Sequence, residues 1–176
     1  AYQTAYLKAH HPVAFMAALM TSVMSQSSKV AEYIYDCRKQ NIQVLPPDLN
    51  RSISGFSVED GSIRFGLAAV KNVGGSMIDQ MVSERNRNGY FKNLTDFCER
   101  MNTKDLNKRA IDSMIKAGVF DSTRANRAQL MSIYENVLES AVRNRKNNIA
   151  GQMDLFGMNE QLSGPTDIIY PDIEDF

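Results

Sequence analysis

The 176-residue sequence contains no tryptophan, only two cysteines, two histidines and five prolines, and its formal net charge is zero. Two cysteines, Cys37 and Cys98, exclude a disulfide scaffold and a cysteine-rich zinc site, leave room for at most one bridge, and fit a reducing, cytoplasmic compartment. His10 and His11 are adjacent, a poor spacing for two ligands on one helix face, with no Cys or Glu at ligand spacing beside them. No stretch reaches the ~18 consecutive apolar residues of a membrane span, and no signal-peptide pattern opens the chain. The P-loop, the nucleophile elbow and the dinucleotide fingerprint are all missing. The acid pairs Glu59-Asp60 and Glu174-Asp175 fall in a turn and in the tail, where solvation accounts for them. Nothing here reads as an active site.

What is present is enough apolar material for a core, with 43% hydrophobic and 23% charged residues. The zero net charge hides an asymmetry. All 20 Lys and Arg lie in residues 1–146 beside 14 acids, whereas residues 147–176 hold 6 acids and no base. A basic body of +6 with an acidic end of −6 directs any anionic partner to the body.

The spacing predicts a mainly α protein: a helical bundle with two short helical hairpins in tandem, packed on each other, and one small β-hairpin. Tyr2 to Lys8 reads as the last turns of a helix. Pro12 opens a second, whose Phe15, Met16, Leu19, Met20, Val23 and Met24 form one apolar face, read as core packing with a flexible docking surface as its alternative. Ser27 or Ser28 caps a third helix carrying Val30, Ala31, Ile34 and Tyr35. Leu45-Pro46-Pro47-Asp48-Leu49-Asn50 reads as a stiff extended linker, because each proline disfavours helix for itself and for its predecessor. Asp60-Gly61 between alternating runs predicts a hairpin with strands at about 55–59 and 62–66.

The next stretch is a repeat. Met77, Ile78, Met81 and Val82 form an apolar helical stripe, and Ala110, Ile111, Met114 and Ile115 form the same stripe 33 residues later. Gly74 and Asn107, at matching positions ahead of them, suit left-handed backbone or a helix start. Gly89-Tyr90-Phe91 and Gly118-Val119-Phe120 each suit a C-terminal cap with an apolar residue folding back. A long amphipathic helix is expected from about Asn126 to Lys146. The acidic end then reads as a linker.

Two stretches are candidates for binding. Lys71, Asn72, Val73, Gly74, Gly75 and Ser76 would let backbone N–H groups approach a phosphate at a helix N-terminus, with a cation at the edge. Asn107, Lys108 and Arg109 hold the matching place in the second unit. Such contacts read duplex shape and not base edges. The bland alternative is a pair of hairpins that only pack on each other, in a helical protein-interaction scaffold that does not bind DNA. Gln152, Met153, Asp154, Leu155 and Phe156 form the second candidate, a Leu-Phe pair in a polar stretch that a partner's pocket would receive. A tail packed on its own domain is its alternative.

Together these residues resemble the bacterial replicative, C-family DNA polymerases. Ala5 to His10 with Pro12 and Phe15 to Leu19 look like the end of that family's fingers domain. Val44 to Asn50 and Ile63 to Leu67 look like its connection toward the clamp-binding region. Lys71 to Gly74 resembles its helix-hairpin-helix, Asn107 to Arg109 with Lys116 to Asp121 the second unit, and Gln152 to Phe156 its internal sliding-clamp motif. Asn72 and Ser76 depart from the family's Gly-Val-Gly-x-Gly pattern. The resemblance implies an end of fingers at 1–43, a linker and β-hairpin at 44–66 and DNA-binding hairpins at 67–123. Beyond these it implies a long helix at 124–150, a clamp peptide at 151–157 and an acidic linker at 158–176. It implies double-stranded DNA, the sliding clamp and other replisome subunits as partners. The aspartates that hold Mg²⁺ for nucleotidyl transfer belong to the family's palm domain, which these residues do not match. No cofactor is therefore expected here, and the segment itself is expected not to polymerise.

Overall fold

The structure, a computed structural model, describes residues 2–101, 106–151, 170–171 and 173–174. It is mainly α, with seven α-helices and one small sheet among these residues. Helix α1 (Tyr2–His10) buries none of its residues. Helix α2 (Pro12–Ser22) begins with proline in its first turn, where the missing N–H forfeits no intrahelical bond. Its Met16, Ala17 and Met20 are buried and Phe15, Leu19, Val23 and Met24 pack at their margin, so the methionine stripe is core. Helix α3 (Ser27–Lys39) departs from the expected face. Val30 and Cys37 are buried with Tyr33 and Ile34 beside them, a stripe of three- and four-residue steps. Ala31 and Tyr35 lie a residue further round the helix and face solvent. Neither Ser27 nor Ser28 is the cap: Gln26 holds that position and makes no side-chain capping bond.

The sheet contains β1 (Val44–Leu45), β2 (Ser57–Glu59) and β3 (Ser62–Arg64), in the order β1-β3-β2. The β2–β3 hairpin turns where expected. Asp60 and Gly61 have φ of 48° and 77°, the positive pair that a tight primed turn requires. Both strands are shorter than the alternation suggests. β1 is an addition, pairing parallel with β3 through Val44↔Ile63 and Leu45↔Arg64. Gly66 comes after β3, where Gly55 crosses it. A Cβ on Gly66 would lie 2.6 Å from the Gly55 carbonyl carbon and 2.8 Å from Phe56 N and Ser54 O, all backbone. Gly66→Ala should therefore lower stability by about 1–3 kcal/mol, the range for overpacking. Thermal melting checks this, and an unchanged midpoint would show that the crossing is not rigid.

Glu59 closes the hairpin. Arg64 donates from Nε and Nη2 at 2.8 Å each, and Arg51 Nη1 donates at 2.8 Å. The Arg64 hydrogen bonds are the main cause that holds the Glu59 carboxyl down to about 2 from its ordinary value near 4.5, with Arg51 adding to them against the opposing effect of burial. A depressed carboxyl stabilises the fold fully above its unfolded value and loses that contribution as pH falls toward the folded one. Stability should thus fall between about pH 4.5 and 2, and Glu59→Gln should remove that part of the acid dependence in a pH series of denaturant titrations.

A second core holds the repeat. Helices α4 (Gly75–Asn88), α5 (Leu94–Arg100), α6 (Lys108–Lys116) and α7 (Arg127–Gly151) surround it. Met77, Ile78 and Met81 are buried on α4, and Ala110, Ile111, Met114 and Ile115 on α6, the two stripes that the repeat predicts. The first unit is abbreviated, its leading helix being a 3₁₀ turn at Leu67–Ala69. Gly89 (φ 81°) and Gly118 (φ 83°) end the repeated helices in the left-handed region. Phe91 and Phe120, two residues on, fold back into the core on either side of Phe97.

The proline segment read as a linker is fastened to this core. Leu49 is wholly buried, its N–H donates to Val119 O at 2.8 Å, and Arg85 Nη1 donates to its carbonyl at 2.9 Å. Asn50 accepts from Phe91 N at 2.8 Å and donates to Phe91 O at 2.9 Å. The stiffness that two prolines impose is what lets so short a segment hold these bonds together. The end of the chain also returns. Tyr170 packs on the same core, while Gln129 and Asn126 at the start of α7 donate to the carbonyls of Pro171 and Ile173.

Candidate nucleic-acid interface

The first hairpin, residues 70–76, joins the 3₁₀ turn to α4. Asn72 takes φ 64°, a conformation that asparagine tolerates better than other non-glycine residues. Its Nδ2 donates to Ser113 Oγ on α6 at 2.9 Å, so the loop is fastened to the second unit. Gly74 occupies the N-cap position of α4 with φ −82° and ψ 151°, which is extended backbone and not left-handed. Glycine is needed here for openness and not for strain. A Cβ on Gly74 or Gly75 would meet nothing within 4 Å, and both residues are exposed. The N-cap glycine has no side chain to cap this helix, so the hairpin presents backbone, with Lys71 exposed at its edge and Val73 half-buried against the core. Ser76 is exposed in the first turn.

The second hairpin is built differently. Asn107 is the N-cap of α6, with its Oδ1 accepting from Ala110 N at 2.7 Å, so its amide oxygen is already used within the helix end. Lys108, read from the sequence as a phosphate contact, has partners within the chain. Its Nζ donates to Glu139 Oε1 at 3.0 Å and Glu135 Oε2 at 3.1 Å, both on α7. Those bonds, Glu139 first and Glu135 second, raise the lysine's pKa, and Lys108 in turn lowers that of Glu135. Arg109 is exposed beside them. The fold thus brings two hairpins together, but with unequal chemistry: one presents open backbone and a lysine, the other a filled cap and a lysine held by two acids.

Residues outside the two motifs hold the hairpins in place. Arg100 on α5 donates to Gly89 O at 2.8 Å and to Glu84 and Asp96 carboxylates at 3.1 and 3.2 Å, with its guanidinium 4.3 Å from the Phe91 ring centroid. Arg145 on α7 donates to Met101 O at 2.7 Å, ahead of the second hairpin. Arg127 pairs with Asp121 against Gly118. The one legible signal for Lys108's partners is Glu135 and Glu139 themselves. Like charges four apart on a helix repel unless a cation lies between them.

Gln152, Met153, Asp154, Leu155 and Phe156 lie outside the described residues. Among those described, no three His, Cys, Asp or Glu side chains come together to hold a metal, and no helix is long and apolar enough to cross a membrane. Cys37 and Cys98 are free and buried, and burial pushes the Cys98 thiol up to about 12.

Comparison with known proteins agrees with this geometry. Residues 41–130 match the family described as the helix-hairpin-helix motif. The DNA polymerase III subunit alpha of Deinococcus radiodurans is 46% identical over 162 residues, which is 90% of this chain and 12% of that protein. Its counterpart in Mycobacterium tuberculosis is 40% identical over 169 residues, 96% of this chain and 14% of the relative. That of Escherichia coli is 40% identical over 158 residues, 89% and 14%. The chain therefore spans about one-eighth of the length of these relatives. With two hairpins in tandem, a matching motif and identity along nearly its whole length, the chain belongs to the helix-hairpin-helix family, as a segment of the bacterial DNA polymerase III alpha type.

Proposed function

We propose that this chain is the part of a replicative polymerase that grips duplex DNA without sequence preference and tethers the enzyme to a sliding clamp. The observation that carries the DNA reading is the open glycine backbone at the start of α4, whose N-cap residue supplies no capping side chain and is flanked by exposed Lys71. Helix N-termini with accessible N–H groups favour phosphate, and the attraction is independent of base sequence. Arg109 adds charge at the flank. In this reading nucleotidyl transfer, and the Mg²⁺ it uses, belong to residues outside these 176, while this segment holds the product helix. Gln152 to Phe156 supply the clamp contact, which raises the effective concentration of the enzyme at the primer end.

The DNA reading is tested by anisotropy titrations with two unrelated duplexes of about 20 base pairs across a salt series. Lys71→Ala should weaken both equally and reduce the log–log salt slope by about 0.9, one phosphate contact. Gly74→Val should weaken binding with no loss of melting temperature, since its extended backbone and open surroundings accept a branched side chain. Wild-type protein that binds neither duplex at low salt would reject DNA gripping in favour of a protein scaffold.

A further inference from the structure

The two hairpins differ in a way that bears on one and the same partner, duplex DNA. The second hairpin carries two adjacent cations, Lys108 and Arg109, at the start of α6, where the first carries one, Lys71, ahead of α4. The structure withdraws one of them. Lys108 lies between Glu135 and Glu139, one helical turn apart on α7, with contacts of 3.1 and 3.0 Å. Both carboxylates are more than half exposed, so a polyanion approaching Lys108 meets two negative charges at the same place. The same hairpin's cap is filled by Asn107, whereas the first hairpin's is not. Filled cap and screened lysine are independent features, and both remove phosphate contacts from the second hairpin alone.

Building on the duplex grip proposed for this chain, we infer that Glu135 and Glu139 act as a guard on Lys108, confining the backbone grip to the first hairpin and leaving the second to align it. The alignment has a visible means in the Asn72–Ser113 bond, which fixes the first loop against α6. A one-sided grip has a functional consequence. Each phosphate contact steepens salt dependence and slows release, and a protein that must move along a duplex gains from having few. The guard therefore sets the number of contacts, and its removal should add one.

The test compares wild-type chain with Glu135→Gln/Glu139→Gln, Lys108→Ala and the triple variant, using labelled duplexes of unrelated sequence between about 50 and 200 mM salt. Glutamine keeps the shape of these exposed side chains, and melting curves verify that each variant is folded. The double variant should bind more tightly and steepen the log–log slope by about 0.9, equivalent to about a threefold larger loss of affinity across that salt range. Lys108→Ala alone should leave the slope at the wild-type value, and in the triple variant the gain should vanish. Glu32→Gln/Asp36→Asn on α3, far along the chain from the hairpins, removes the same number of charges and should not reproduce the effect. A slope that falls with Lys108→Ala alone would show that Lys108 already touches phosphate and would overturn the guard while leaving duplex binding intact. A gain that survives in the triple variant would overturn it as well. Absence of duplex binding in wild type and double variant alike would remove both the duplex grip and the guard that depends on it.

Discussion

Phe97→Ala is expected to lower the unfolding free energy by about 3–5 kcal/mol, the range for truncating a buried aromatic residue. Phe97 is wholly buried on α5 and meets Phe91 and Phe120 edge to face, at centroid separations of 5.3 and 5.6 Å. Each of those rings stands two residues after the glycine that ends a repeated helix, Gly89 in one case and Gly118 in the other. One ring from α5 thus joins the two units, and its loss should uncouple them. Edge-to-face pairs add roughly 0.5–1.5 kcal/mol beyond the area that they bury. Phe97→Leu should recover part of the loss by refilling most of the volume. Guanidinium titration followed by circular dichroism measures both, with a lower midpoint and an unchanged slope expected. A loss below about 1 kcal/mol would mean that the hairpins do not depend on this ring for their mutual packing.

Leu155→Ala combined with Phe156→Ala is expected to abolish binding to a bacterial sliding clamp. Burying each such side chain contributes about 1.5–3 kcal/mol, so the pair accounts for roughly 3–6 kcal/mol. At about 1.4 kcal/mol per decade that is two to four orders of magnitude in affinity. Gln152→Ala should have a smaller effect, through lost orientation, and Asp154→Ala the least. The melting temperature should not change. Calorimetry with a purified clamp reads the affinity, and circular dichroism on the same double variant reads the fold. A wild-type chain without clamp affinity, or a double variant that retains it, would sink the tether. A lowered melting temperature would instead place the Leu-Phe pair against its own domain.

Much of this fold is legible because its signals are local. Asp60-Gly61 produces a hairpin since both types accept positive φ, whatever surrounds them. The stripes on α4 and α6 and the glycines that end them result from helical spacing and from backbone freedom at one position. Asn72, standing where the resembling family has glycine, still adopts a positive φ, as its type allows. Other features escape local reading. β1 is two residues long and exists only because β3 lies beside it. The proline segment reads as a spacer, yet Asn50 binds Phe91, 41 residues further on. Tyr35 and Ala31 keep helical periodicity and still face solvent, because the apolar neighbours sit on another side of α3.

The candidate interface divides in the same way. The amino-acid sequence by itself determined that two helix starts would carry small or capping residues with cations beside them. Residue type within three or four positions decides such backbone geometry. Only the tertiary structure decided which start remains open. Lys108 meets Glu135 and Glu139 across 27 and 31 residues because α7 packs along α6, and Gly74 stays uncovered because no described residue beyond its chain neighbours comes within 4 Å of where its Cβ would stand. Charge and access act through distance in space, which the order of residues along the chain does not record.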